Sequence, residues 1–179
     1  MPTKTARIEL RLRELAQLFN SMDPSPFVDR DLDGDAEEFI VSWAREHPAG
    51  QALELVVHLS VPPPEDRAPG VEAAVRHYFA TRTEVKKREF RVMMRRGRQS
   101  LLIGLLFLTG CLFIAGLVEH QFPDGTAPAI IRESLTILGW VAMWKPLQLY
   151  LYDWWPVRVE QHLFERLARM RVRLVQPAA

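Results

Sequence analysis

The sequence predicts an α+β protein: a small cytoplasmic domain of about three strands plus helices, built from both chain ends and joined to a two-helix transmembrane hairpin. Three observations carry this expectation. Leu101–Val118 (LLIGLLFLTGCLFIAGLV) runs for eighteen residues without a charge. As a helix it is about 27 Å long, close to the roughly 30 Å hydrocarbon thickness of a bilayer. Alternation of apolar and polar residues, the period of a half-buried strand, occurs near both ends of the chain. Finally, 25% of the 179 residues are charged and the mean hydropathy is only −0.07, so most of the chain must lie outside the bilayer.

Composition narrows the function. A net charge of +1 supplies no global field toward nucleic acid, and no nucleic-acid partner is expected. Cys111 is the one cysteine, which excludes an internal disulfide scaffold. The N-terminal stretch MPTKTARIELRLRELAQLF has no continuous apolar run and contains glutamates, unlike a signal or transit peptide. Insertion is therefore assigned to the internal apolar segments.

The first strand is read from Ala6, Ile8, Leu10 and Leu12, which alternate with Arg7, Glu9 and Arg11. From Glu14, Leu15, Leu18 and Phe19 change to helical spacing, giving a short helix, and Asn20–Phe27 forms a proline-punctuated turn. Asp29, Asp31, Asp33 and Gly34 match the opening of an EF-hand loop, but the position that needs a bidentate glutamate is Ile40. A helix start explains these acids better: Asp35 as N-cap with Glu38 three residues on. The helix is expected over Ala36–His47, burying Phe39, Ile40, Trp43 and Ala44, until Pro48 and Gly50 stop it. A second strand follows over residues 52–60, with Val56 and His58 on its other face, which places it inside the sheet. Pro62-Pro63-Pro64, Glu65 and Asp66 read as a stiff exposed connector to Gly70.

A long helix begins at Val71, with Val71, Ala74, Val75, Tyr78 and Phe79 on one face. It becomes strongly basic at Lys86, Lys87, Arg88, Arg91, Arg95, Arg96 and Arg98, next to the apolar run. Cations in that position meet anionic lipid headgroups at about 1 kcal/mol each, so membrane lipid is the expected partner, with Gly97 as a candidate hinge. After the first span the loop Glu119–Ala129 contains no Lys or Arg. The second span, about residues 130–147, is weaker because it includes Arg132, Glu133 and Lys145. Lys145 is read as snorkelling to the headgroups, since Trp144, Tyr150, Tyr152, Trp154 and Trp155 resemble an interfacial aromatic belt. Pro146 is expected to kink this helix or to start an interfacial one. Small residues on both spans, Gly104, Thr109, Gly110, Ala115, Gly116, Ser134, Gly139 and Ala142, suit close helix pairing. Val159, Leu163, Phe164, Leu167 and Met170 then have helical spacing, and Met170, Val172 and Leu174 alternate with arginines as a third strand.

The domain plan is thus a cytoplasmic α+β region at 1–98, a hairpin with an aromatic segment at 99–155, and a cytoplasmic helix and strand at 156–179. The excess of Lys and Arg on both flanks of the hairpin places both termini in the cytoplasm, at a plasma membrane of bacterial inner-membrane type. Five scattered histidines give no metal-ligand spacing. No GxGxxG, GxxxxGK[ST] or GxSxG motif occurs, so neither a cofactor nor a catalytic residue is assigned. The reading is a membrane-anchored interaction or scaffold protein, or an accessory subunit, with a protein partner or a homo-oligomer. A transporter or channel subunit is the alternative, and an enzyme whose site is assembled across the fold comes third.

Overall fold

The computed structural model describes residues 5–63 and 68–175, so Pro64, Glu65 and Asp66 of the expected connector lie outside them. The chain divides into two compact units, one holding residues up to Lys87 and from Val159 onward, the other Arg88–Arg158.

The first unit is built on a three-stranded sheet of β1 (Ala6–Leu12), β2 (Leu53–Leu59) and β3 (Arg171–Val175). Strand order is β1-β2-β3 and both pairings are parallel, with Ile8 opposite Leu55 and Leu55 opposite Val172. Parallel strands require crossovers. Helix α1 (Gly34–Glu46) supplies the first. The second contains helices α2 (Val71–Gln121), α3 (Thr126–Gln148) and α4 (Trp154–Leu167), so the sheet joins both ends of the chain. The C-terminal strand lies beside β2, which is central. Val56 shows why: on the outer face of the middle strand it is still only 7% exposed. The core joins Ile8, Leu55 and Val57 of the sheet to Ile40 and Ala44 of α1, Val75 and Phe79 of α2, and Leu163, Leu167 and Met170. Helices thus cover one face only, and the other face carries Arg7, Glu9, Arg11, Glu54, His58, Arg171 and Arg173.

Several local expectations are corrected. The segment after Glu14 is a 3-10 turn, Leu15–Leu18, because Gln17 Oε1 accepts the backbone N–H groups of Arg13 (2.8 Å) and Glu14 (3.3 Å) and closes it early. Helix α1 starts before Ala36 and is capped by Asp33, whose side chain accepts Asp35 N–H at 3.1 Å; Asp35 is not the cap. Trp43 is 44% exposed where burial was expected, and Val41 takes its place in the core. Pro63 is buried although the connector was read as exposed. Val159 is 52% exposed, leaving Leu163, Phe164 and Leu167 as the inward face of α4. The turn after the apolar run is four residues, Phe122–Gly125, since helices extend further on both sides than the Glu119–Ala129 loop allowed. Gly125 takes φ +137 there, a conformation open to glycine.

Candidate membrane interface

The second unit is a helix–turn–helix pair. On α2, residues at 104, 108, 111 and 115 are withdrawn from the surface while their neighbours are exposed, the spacing of a single packing seam. Gly104 and Gly139 set the closeness of approach. A Cβ on Gly139 would meet Leu108 Cδ1 at 2.7 Å and Cys111 Cβ at 3.3 Å. A Cβ on Gly104 would meet the Ala142 carbonyl oxygen at 3.1 Å and Met143 sulfur at 3.2 Å. That carbonyl is the one Pro146 cannot bond four residues on, because proline has no N–H. A glycine against it permits weak Cα–H···O compensation in place of a clash. Gly110 and Gly116 have nothing near them, so they lie outside the seam. At the turn end, Arg132 Nη1 pairs with Glu119 Oε1 at 2.9 Å.

Helix α2 is unbroken at Gly97, running from Val71 through Gln121. A Cβ at this position would meet Leu149 Cδ2 at 2.7 Å and Tyr150 at 3.5 Å, so glycine serves close packing. Pro146 lies inside α3, and it is followed by a π-helical turn, Leu149–Asp153, before α4. There Trp154 Nε1 donates to Tyr150 O at 2.8 Å, and Trp154 and Trp155 meet edge to face with centroids 5.6 Å apart.

The surface of this pair is apolar. Leu102, Ile103, Leu105, Leu106, Phe107, Leu112, Phe113, Ile114 and Leu117 are all exposed on α2. At roughly half exposure each, leaving nine such side chains in water forgoes on the order of 10 kcal/mol of burial, which favours a nonpolar cover. Only 17% of the most apolar window of α2 is buried, so the rest of the chain leaves most of its apolar surface uncovered. Among the described residues α2 alone is long and apolar enough to cross a membrane. Helix α3 exposes Ile130, Ile137, Leu138, Trp140 and Val141, but Arg132, Glu133 and Lys145 lower its hydropathy.

No family model, curated protein or solved structure matches the chain. Its own geometry carries the functional argument.

The basic run separates into two sets. Lys86 Nζ pairs with Glu160 Oε2 at 3.0 Å, and Lys87 Nζ with Glu84 Oε1 at 2.9 Å and Glu165 Oε1 at 3.9 Å. These lysines stitch the α/β unit, and the Glu84 hydrogen bond raises the Lys87 ammonium further above its ordinary range. In the second unit Arg88, Arg91, Arg95 and Arg98 are exposed and recur at three- and four-residue steps, one stripe on one helix face. Arg88, Arg95, Arg96 and Arg98 have no ion pair among the described residues. Arg158 lies over the Phe90 ring at 5.4 Å. Of the aromatic belt, Trp144, Tyr152 and Trp155 are exposed, while Tyr150 and Trp154 are half-buried. Lys145 is exposed beside Trp144, where α3 runs without a break through the π-helical turn into α4, and Glu133 is exposed twelve residues earlier on α3.

The ionisable groups of the α/β unit are engaged structurally. Asp23 accepts N–H from Ser25 (2.9 Å) and Asp31 (2.7 Å), and these bonds, the Asp31 one foremost, hold its carboxyl down to about 2. Asp29 faces His77 at 3.5 Å and Asp33 caps α1, so the EF-hand-like acids point to separate tasks. Among the described residues no three His, Cys, Asp or Glu side chains converge for a metal. The cluster that sequence reasoning missed is Glu37, Tyr78 and Arg82. Arg82 Nε and Nη2 donate to the two Glu37 oxygens at 3.0 and 2.8 Å, and Tyr78 Oη donates at 2.6 Å. Burial works to raise the Glu37 carboxyl, but these donors outweigh it and hold it below the ordinary range. The four-residue step from Tyr78 to Arg82 was visible; their partner forty residues upstream was not.

Proposed function

We propose that this chain is a two-pass integral membrane protein whose α/β unit acts in the cytoplasm as an anchored interaction module, a scaffold or an accessory subunit. The observation that carries the reading is the uncovered apolar surface of α2, with further exposed apolar side chains on α3. The hairpin reading draws support from the Gly104 and Gly139 contacts and the Arg132–Glu119 pair, which give α3 a packed, charge-matched position against α2. Arginine-flanked apolar helices orient with their cations in the cytoplasm, and the Arg88–Arg98 stripe then meets anionic headgroups. Lys145, which with Arg132 and Glu133 motivates the transporter-subunit alternative, is exposed beside an exposed tryptophan at the start of the aromatic segment, a setting that suits a snorkelling lysine.

Two measurements test the proposal. Alkaline carbonate should leave the chain in the membrane fraction, and release would overturn membrane insertion. Crosslinking in native membranes with mass measurement in mild detergent should give a defined homo-oligomer or one reproducible neighbour. A strict monomer without a crosslinked neighbour would overturn the interaction role.

A further inference from the structure

A cavity of about 600 Å³ opens at the N-terminal end of the sheet, lined by Arg7, Gln51, Glu54, Arg166, Arg169 and Arg171 among others. Strand register explains the grouping: Arg7, Glu54 and Arg171 form one row across β1, β2 and β3 on the face without helices. Adjacent strands lie about 4.8 Å apart, so the two arginines flank the carboxylate. Glu54 is already engaged, accepting Arg7 Nε at 3.1 Å, with Arg173 Nη2 3.9 Å away on its other oxygen. Arg169 and Arg171 have no ion pair among the described residues. Arg166 is held by neutral acceptors, its Nη2 donating to Pro48 O at 3.0 Å and Gln51 O at 3.1 Å, and its buried Nε has no partner. Burial without a carboxylate disfavours its charged form. Four guanidinium groups therefore share one cavity with a single, already occupied acid.

We infer that this cavity is a binding site for a multiply charged oxyanion of the phosphate-ester or pyrophosphate class. Guanidinium forks match phosphate oxygens bidentately, and the volume lies in the range of small-molecule sites, roughly 300–1,000 Å³. Arg166 is held by two carbonyls, Arg7 by Glu54, and strand register sets the backbone of Arg7 and Arg171 in one row beside the exposed Arg169. The phosphate is carried either by a soluble molecule or by a lipid headgroup, and the inference stands whether or not the apolar helices cross a bilayer.

The test is calorimetric titration of the full chain in mild detergent with inorganic pyrophosphate. Saturable binding that weakens with added salt is expected, and the double variant R169A/R171A should weaken it about tenfold or more. The R169K/R171K pair, which keeps charge and loses the fork, should fall between. R95A/R98A, on the α2 stripe, should bind like the parent. No saturable heat at millimolar pyrophosphate would overturn the site, as would equal affinity in R169A/R171A and the parent. Titration with a nucleoside diphosphate against short-chain phosphatidic acid in the same detergent separates the sources: tighter binding of the first supports a soluble ligand, tighter binding of the second a headgroup.

Discussion

Glu37 is the residue whose removal reports most directly on the α/β unit. Its carboxylate joins α1 to α2 through Arg82 and Tyr78, and it is 16% exposed while Arg82 is 45% exposed. Glu37→Gln keeps the shape and loses the charge-assisted pair; with Arg82 partly screened by solvent, the loss should be about 1–2 kcal/mol in denaturant unfolding at neutral pH. The pH dependence has a definite sign. The Glu37 carboxyl titrates lower in the folded chain than in the unfolded one, so its stabilisation is present above the ordinary glutamate range. It is lost as pH falls through the depressed folded value. Midpoints of parent and E37Q should therefore converge on acidification through the range below pH 4.5. A constant gap would mean that the carboxylate is not what holds these helices.

At the scale of elements, the seam between α2 and α3 gives a covalent test. The ideal Cβ of residue 139 lies 3.3 Å from Cys111 Cβ, slightly inside the usual disulfide separation of about 3.5–4.5 Å, with the flexible end of Leu108 able to yield. Gly139→Cys should form an intramolecular disulfide with the one native cysteine under mild oxidation, seen as a faster band on a non-reducing gel. Gly110→Cys, placed off the seam, should not. Band shifts in both variants or in neither would reject the packing. Much of this level was legible in the sequence. Alternation located β1, β2 and β3, and the buried face of α2 at Val71, Ala74, Val75, Tyr78 and Phe79 follows from spacing alone. What spacing did not disclose was which small residues do the packing. Gly104 and Gly110 look alike in sequence, and only the facing helix distinguishes them. The Arg7–Glu54–Arg171 row was equally hidden, because register is a relation between strands distant in sequence, and the C-terminal arginines carried only an orientation signal.

For the whole molecule, the two-pass proposal together with the parallel sheet predicts that β1 and β3 lie on the same side of the membrane. Single cysteines in a Cys111→Ala background test this. A cysteine at Asp124, in the turn, should react with an impermeant maleimide added to the outside of intact cells. Cysteines at Thr5 and Val175 should react only after the membrane is opened. Labelling of all three from outside would refute the two-pass arrangement.

The second crossover gives the chain a built-in order of events. Strand β2 precedes both apolar helices in the chain, and β3 follows them. On the two-pass proposal, everything that enters the lipid phase is synthesised in the interval. The ribosome therefore releases the third strand only after both apolar helices have emerged. A chain whose hairpin is misdirected leaves β2 with an open hydrogen-bonding edge, the kind of surface that aggregates. If the hairpin spans a bilayer as proposed, completion of the sheet would report on its delivery there.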